Sequence, residues 1–263
     1  MNRTIYIKTA TVLAASILAA SCSIKEDRRP CPCWLDIDIT GCASHTTEVA
    51  LSAWDTDNLF SDKVAVADYP DAYEKTVTKG MVMTSAYCGL SQSSVSGSRI
   101  VIPEGCQSDM LLAHSNVVDC TGESARDSVI LHKQYATVFL SMKDGQARES
   151  LKTMEVRGNV CGIDYVTLEP ADGSFRFMTE SDSNSTWTFR LPRQREDSEL
   201  TLVTFVEGEP KDELPLDEWI AKSGYSWLDK DLKDIYINVD YAVGKVSVVI
   251  QGWADGESFD IIL

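Results

Sequence analysis

Histidine and basic residues are scarce in this 263-residue sequence. The three histidines, His45, His114 and His132, never stand at ligand spacing from one another. That removes the usual histidine-based metal centres. Lysine and arginine number 24 against 40 acidic residues, a net charge of −16. Nucleic-acid binders need basic patches that neutralise phosphate, and anionic lipid attracts basic surfaces. This chain suits neither. Phosphate-cradling glycine loops, a G-x-S-x-G elbow and an H-E-x-x-H pair are all missing. Asp55-Thr56-Asp57-Asn58 starts like a calcium loop but lacks the glycine and the final glutamate that complete one, so it reads as a turn. With so many acids, carboxylate pairs arise by chance, and none stands out as a glycosidase pair. No catalytic residue, metal site or cofactor is expected, and the chain is read as a non-enzyme.

Long apolar runs are missing too. No stretch reaches the ~18 apolar residues of a spanning helix. Val12–Ala20 is apolar but short. It follows Arg3 and Lys8 and is followed by Ser21-Cys22. A short basic segment, a short apolar segment and small residues before a cysteine predict an exported lipoprotein. Residues 1–21 are then a cleaved signal peptide, and Cys22 carries the lipid, which would be the membrane attachment. Cleavage removes Arg3 and Lys8 and no acid, so the balance moves from −16 to −18. Residues 22–33 follow as a tether, charged as far as Arg29 and broken by Pro30. Its reach is at most ~3.3–3.6 Å per residue.

Beyond Cys22 seven cysteines remain: Cys31, Cys33, Cys42, Cys88, Cys106, Cys120 and Cys161. Export permits disulfides, and an odd number leaves at least one unpaired within the chain. Cys31 and Cys33 lie too close together for a zinc pair. Disulfides and buried thiols both stay open.

What is abundant is period-two alternation. Leu35, Ile37 and Ile39 alternate with Asp36, Asp38 and Thr40, the mark of a half-buried strand. Similar runs cover Val49–Trp54, Val64–Ala67, Val77–Tyr87 and Arg99–Ile102. The polar segment Asp119–Ser128 reads as an interdomain linker. After it, Val129–Leu131, Ala136–Met142, Thr186–Leu191, Leu200–Val206, Ile235–Tyr241 and Val246–Ile250 read as strands. Asp172-Gly173 between apolar runs predicts a hairpin turn. One helix is expected, N-capped by Asp217, running through Glu218–Lys222 and ending at Gly224. Regular short strands separated by turns predict an all-β sandwich architecture. The expected layout is one sandwich over 34–122 and a second over 128–263, with the short helix in the second.

Six tryptophans (Trp34, Trp54, Trp187, Trp219, Trp227 and Trp253) raise a glycan-stacking alternative. Most lie on or beside predicted elements, where a core role is the commoner use. A surface glycan-binding lipoprotein of a nutrient-uptake system is therefore the second functional expectation.

Two stretches resemble a known family. Cys22-Ser23-Ile24-Lys25-Glu26-Asp27-Arg28-Arg29-Pro30-Cys31-Pro32-Cys33-Trp34 is similar to the mature start of fimbrillin-A-associated anchor proteins. Leu214–Ile220, Asp234–Ile237 and Gly252-Trp253 resemble the C-terminal domain of the same family, and Leu131–Ala136 resembles its opening. The resemblance implies an outer-membrane lipoprotein, surface-exposed, anchoring or accessory to a type V pilus and active in cell adhesion. It also implies two tandem transthyretin-like β-sandwich domains. Lys25-Glu26-Asp27 resembles the acidic export signal of surface lipoproteins, and equally a solvated tether. Partners would be fimbrial subunits joined by β-strand addition. Phe259, Ile261 and Leu263, alternating in the apolar terminal run, are the candidate partner-binding residues. A strand that only closes its own sheet accounts for that run as well.

Overall fold

The computed structural model describes residues 31–143, 153–182, 185–240, 245–250 and 259–262. Among these residues it is all-β with one short α-helix. The first strands are β1 (Cys33–Asp38), β2 (Glu48–Trp54), β3 (Asn58–Ala65), β4 (Tyr73–Val77) and β5 (Met81–Cys88). β6 (Ser94–Ser96), β7 (Arg99–Val101), β8 (Leu112–Asp119), β9 (Ser124–Ser128) and β10 (His132–Lys133) follow. Then come β11 (Tyr135–Lys143), β12 (Thr153–Asp164), β13 (Pro170–Glu180), β14 (Thr186–Pro192), β15 (Leu200–Val206) and β16 (Glu209–Pro215). The helix α1 (Leu216–Lys222) precedes β17 (Ile235–Asp240), β18 (Lys245–Ile250) and β19 (Phe259–Ile262).

The first core lies between a three-stranded sheet, β4-β1-β9, and a five-stranded one, β10-β8-β5-β2-β3. Alternation works as the sequence predicts. Cys33, Leu35 and Ile37 turn inward from β1 and meet Val49, Leu51 and Ala53 of β2 and Val82 and Ala86 of β5. The second core lies between β14-β11-β17-β18-β19 and β16-β15-β12-β7-β6, with β13 paired to β12. Ala136, Val138 and Leu140 of β11 face inward with Trp187, Phe189 and Leu191 of β14. α1 closes this core with Leu216, Trp219 and Ile220. Burying such side chains yields about 1.5–3 kcal/mol each.

Several boundaries differ from expectation. β1 begins at Cys33, inside the stretch assigned to the tether. Val77–Tyr87 breaks near Gly80 into β4 and β5. Asp119–Ser128 is not a linker. A turn closed by Thr121 N–H and Oγ1 donating to Asp119 leads into β9, which pairs in parallel with β1. α1 is preceded by Pro215 and not by an Asp217 cap, and Asp217 sits in its first turn. It still stops just before Gly224.

Asp172-Gly173 is not the predicted turn either. Both lie inside β13, beside a bulge in the β12–β13 register. The chain reverses earlier, where Asp164 accepts from the N–H groups of Val166 (2.9 Å) and Thr167 (3.0 Å). Leu168 takes a left-handed φ of 61° there. Gly173 instead leaves room for a neighbour: a Cβ on it would sit 2.3 Å from Cys161 Sγ.

The two cores are joined by more than a crossover. The β6–β7 hairpin comes from the first half of the chain yet completes a sheet of the second, with β7 antiparallel to β12. A Cβ on Gly162 would lie 2.0 Å from Ile100 O, so only glycine admits this approach. A third apolar cluster of Ile100, Leu111, Ile163, Tyr165 and Val166 covers the outer face of the five-stranded sheet. Tyr165 packs there against Trp54 and Tyr87, with ring centroids 6.4 and 4.8 Å away.

Candidate functional site

The predicted partner-binding residues fall on the last strand. β19 pairs antiparallel with β18 and holds the edge position of its five-stranded sheet. Phe259 stands opposite Val248 and Ile261 opposite Val246. Those valines stand opposite Ile237 and Val239 of β17. The strand is thus paired within its own sheet on one side, and among the described residues no strand pairs with its other side. An edge of this kind presents a row of backbone N–H and C=O groups that can accept another strand. Leu263 and the lipid-site candidate Cys22 lie outside the described residues.

The tryptophans mostly build structure. Trp187, Trp219 and Trp227 are buried, and Trp54 is packed against Tyr165. Trp34 on β1 is the exception, with 57 % exposure. Trp253 lies outside the described residues. Phe139 of β11 and Tyr236 of β17, both half-buried, stack with ring centroids 4.8 Å apart. Among the described residues there is no group of three His, Cys, Asp or Glu placed for a metal, and no helix long and apolar enough to cross a membrane.

A groove of about 580 Å³ lies where the two halves meet, lined by Asn116, Ile130, Gln194, Trp227, Leu228 and Lys230 among others. Its floor is built by the segment that opens the second half. Gln134 Oε1 accepts from the buried Arg193 (2.7 Å), which also donates to the carbonyls of Trp227, Asp229 and Lys230. Asp231 accepts from Lys133 N–H at 2.8 Å, and Asp234 from Thr137 N–H at 3.0 Å. Lys133 Nζ also donates to Asp234, which ties the Leu131–Ala136 stretch to the Asp234–Ile237 stretch, far apart in sequence.

One buried polar cluster has the residue types of a catalytic triad and the wrong order. Asp127 of β9 accepts from Thr84 of β5, from Asn116 of β8 (2.8 Å) and from its neighbour Ser128 N–H (2.9 Å). His114 Nδ1 accepts from Ile130 N–H at 3.3 Å, which leaves Nε2–H to donate to Asp127 at 3.2 Å. Both Thr84 and His114 point at the carboxylate, so no histidine stands at the hydroxyl as a triad requires. The cluster instead bolts β9, in one sheet, to β5 and β8 in the other. Burial alone would raise the Asp127 pKa; the hydrogen bonds from His114, Thr84 and Asn116 outweigh it and hold the group down at about 2. A depressed carboxyl contributes stability above its unfolded pKa and loses it as pH falls. Stability is expected to drop by roughly 2 kcal/mol between about pH 4 and pH 2 from this group. Asp127→Asn should flatten that part of the acid limb in urea titrations. An unchanged acid limb in the variant would remove the assignment.

No protein-family model matches the chain, and no curated protein matches it by sequence. Solved structures match in fold. The fimbrial anchor protein Mfa2 from Porphyromonas gingivalis aligns with a TM-score of 0.59 at 15% identity, over 87% of this chain and 100% of that one. A candidate polysaccharide-binding protein from Bacteroides thetaiotaomicron gives 0.58 at 13% identity, over 87% and 98%. A candidate adhesin from Bacteroides ovatus gives 0.58 at 11% identity, over 87% and 96%. At such identities the likeness is one of architecture, and this chain has the fold of the Porphyromonas gingivalis fimbrial anchor protein.

Proposed function

We propose that the protein is a non-catalytic lipoprotein subunit of a fimbrial assembly, held at the outer membrane through Cys22 and contributing to adhesion as anchor or accessory subunit. The observation that carries this reading is the likeness in fold to a fimbrial anchor along the whole of that chain. The tether sequence after Cys22 and the terminal edge strand are consistent with it. Contact with pilus subunits would run through β19, where an added strand gains main-chain hydrogen bonds and alternate side chains set specificity. Use of the tryptophans in the core weighs against the glycan-binding alternative.

Deleting residues 258–263 tests the contact. The truncated protein is expected to fold, reach the surface and capture fimbrial subunits at least tenfold less well in pull-down from cell envelopes. Undiminished capture would move the contact to another edge. A degraded product would place β19 in the protein's own core and end its role as a joint.

A further inference from the structure

Cys33 and Cys120 are distant in sequence and adjacent in the fold. Cys33 opens β1, and Cys120 directly follows β8. Both are 0 % exposed and belong to one core cluster. Their surroundings are fixed by backbone: Trp34 N–H donates to Glu123 O at 2.9 Å, and Cys120 N–H to Gly80 O at 2.8 Å. Cys33 Sγ–H donates to Trp34 O at 3.6 Å, and the two thiols lie close enough for Cys33 to act on the ionisation of Cys120. Cys31, two residues earlier, is exposed and takes no part.

We propose that Cys33 and Cys120 are joined by a disulfide in the exported protein, and that this bond carries load arriving through the N-terminal tether. The load-bearing half rests on the anchoring function proposed above; the bond itself needs only an oxidising compartment. The chemistry is thiol–disulfide exchange. One thiolate attacks a disulfide of an external oxidant, forming a mixed disulfide, and the second displaces it. Two protons and two electrons leave the cysteines, and the oxidant departs as a dithiol. The exchange belongs to folding, before the core closes. In the folded protein burial, with Cys33 close by, pushes the Cys120 thiol up to about 12, so thiolate is scarce and neither sulfur is reachable. The same burial shields the finished bond from reductant.

The mechanical consequence follows from position. Without the bond, tension on Cys22 reaches β1 first and strips it from β4 and β9. With it, force passes from Cys33 to Cys120 and bypasses residues 34–119, which would otherwise extend by about 300 Å at ~3.3–3.6 Å per residue.

The test begins with full-length protein from its own membranes, denatured in acid with excess maleimide and digested without reductant. Mass mapping is expected to find the Cys33 peptide linked to the Cys120 peptide. The link should persist in Cys31→Ser and vanish in Cys33→Ser. Maleimide on both Cys33 and Cys120 in the wild-type protein, or a Cys31–Cys120 link, would overturn the bond. Both outcomes are read in protein that carries Cys33, so a misfolded Cys33→Ser variant does not blunt them. For the load, single molecules are pulled between residue 22 and the C-terminus. Oxidised protein is expected to extend about 300 Å less than protein unfolded in phosphine reductant. Equal extension in a chain whose bond has been mapped would remove the mechanical role alone, and membrane attachment, read separately at Cys22, would be untouched.

Discussion

Exchanging Cys22 for alanine is expected to remove the lipid and with it stable membrane attachment. The reasoning is thermodynamic. Each buried acyl CH₂ contributes about 0.8 kcal/mol, and two or more chains make attachment stable where one is marginal. After loss of Arg3 and Lys8 from the 24 bases, 22 bases against 40 acids offer anionic lipid no compensating attraction. No described helix is long and apolar enough to hold the body in a bilayer. One complication is chemical: a leader that is not lipidated can escape cleavage, and Val12–Ala20 would then linger in the membrane. The variant is therefore paired with a second, in which residues 1–22 are exchanged for a leader that is cleaved without lipidation. More than nine-tenths of that second protein should appear in the soluble fraction after high-salt and carbonate washing. Retention of both variants would end the lipid assignment.

The second large effect is expected at Trp187. This side chain is 1 % exposed and lies on β14 opposite Leu140 of β11. Trp187→Ala removes its apolar surface and leaves a cavity that the two sheets cannot close without shifting Phe189 and Leu191 on the same strand. Changes of this kind cost about 3–5 kcal/mol. That is a large share of the ~5–15 kcal/mol that keeps a typical domain folded. The urea midpoint should fall sharply, with loss of near-ultraviolet circular dichroism at concentrations the parent protein withstands. Trp34→Ala is the control. Trp34 is 57 % exposed, so the same deletion there should change stability by about 0.5 kcal/mol or less. Equally small effects at the two sites would show that the second core does not depend on Trp187.

Strands with one wet and one dry face were legible in the sequence. β1, β11, β14 and β17 fall where alternation predicts, because an apolar residue at every second position has one sheet face to enter. β9 was not legible, since its fully buried position is Asp127, satisfied by hydrogen bonds from residues that no local pattern reveals. β6–β7 escaped as a part of the second half because its partner strand begins at Thr153, beyond any local window. Asp172-Gly173 misled because a glycine admitted for close approach to Cys161 reads like one admitted for a turn. At the candidate site, alternation in 258–263 predicted a strand, but neither its edge position nor its register with β18 could be read from the sequence. The thiol pair of Cys33 and Cys120 was invisible because the sequence counts cysteines without placing them.

If the chain is exported as proposed above, the shared sheet also sets an order of events. A chain crossing a membrane emerges from its N-terminus. β1 to β5 can pair as soon as they appear, and β9 can join β1 shortly afterwards. Arg99–Val101 has nothing to pair with, apart from Ser94–Ser96, until Gly162–Asp164 arrives. The first sandwich would then form with Arg99–Val101 still waiting for β12, and the second half's sheet would close only once Gly162–Asp164 had been threaded through.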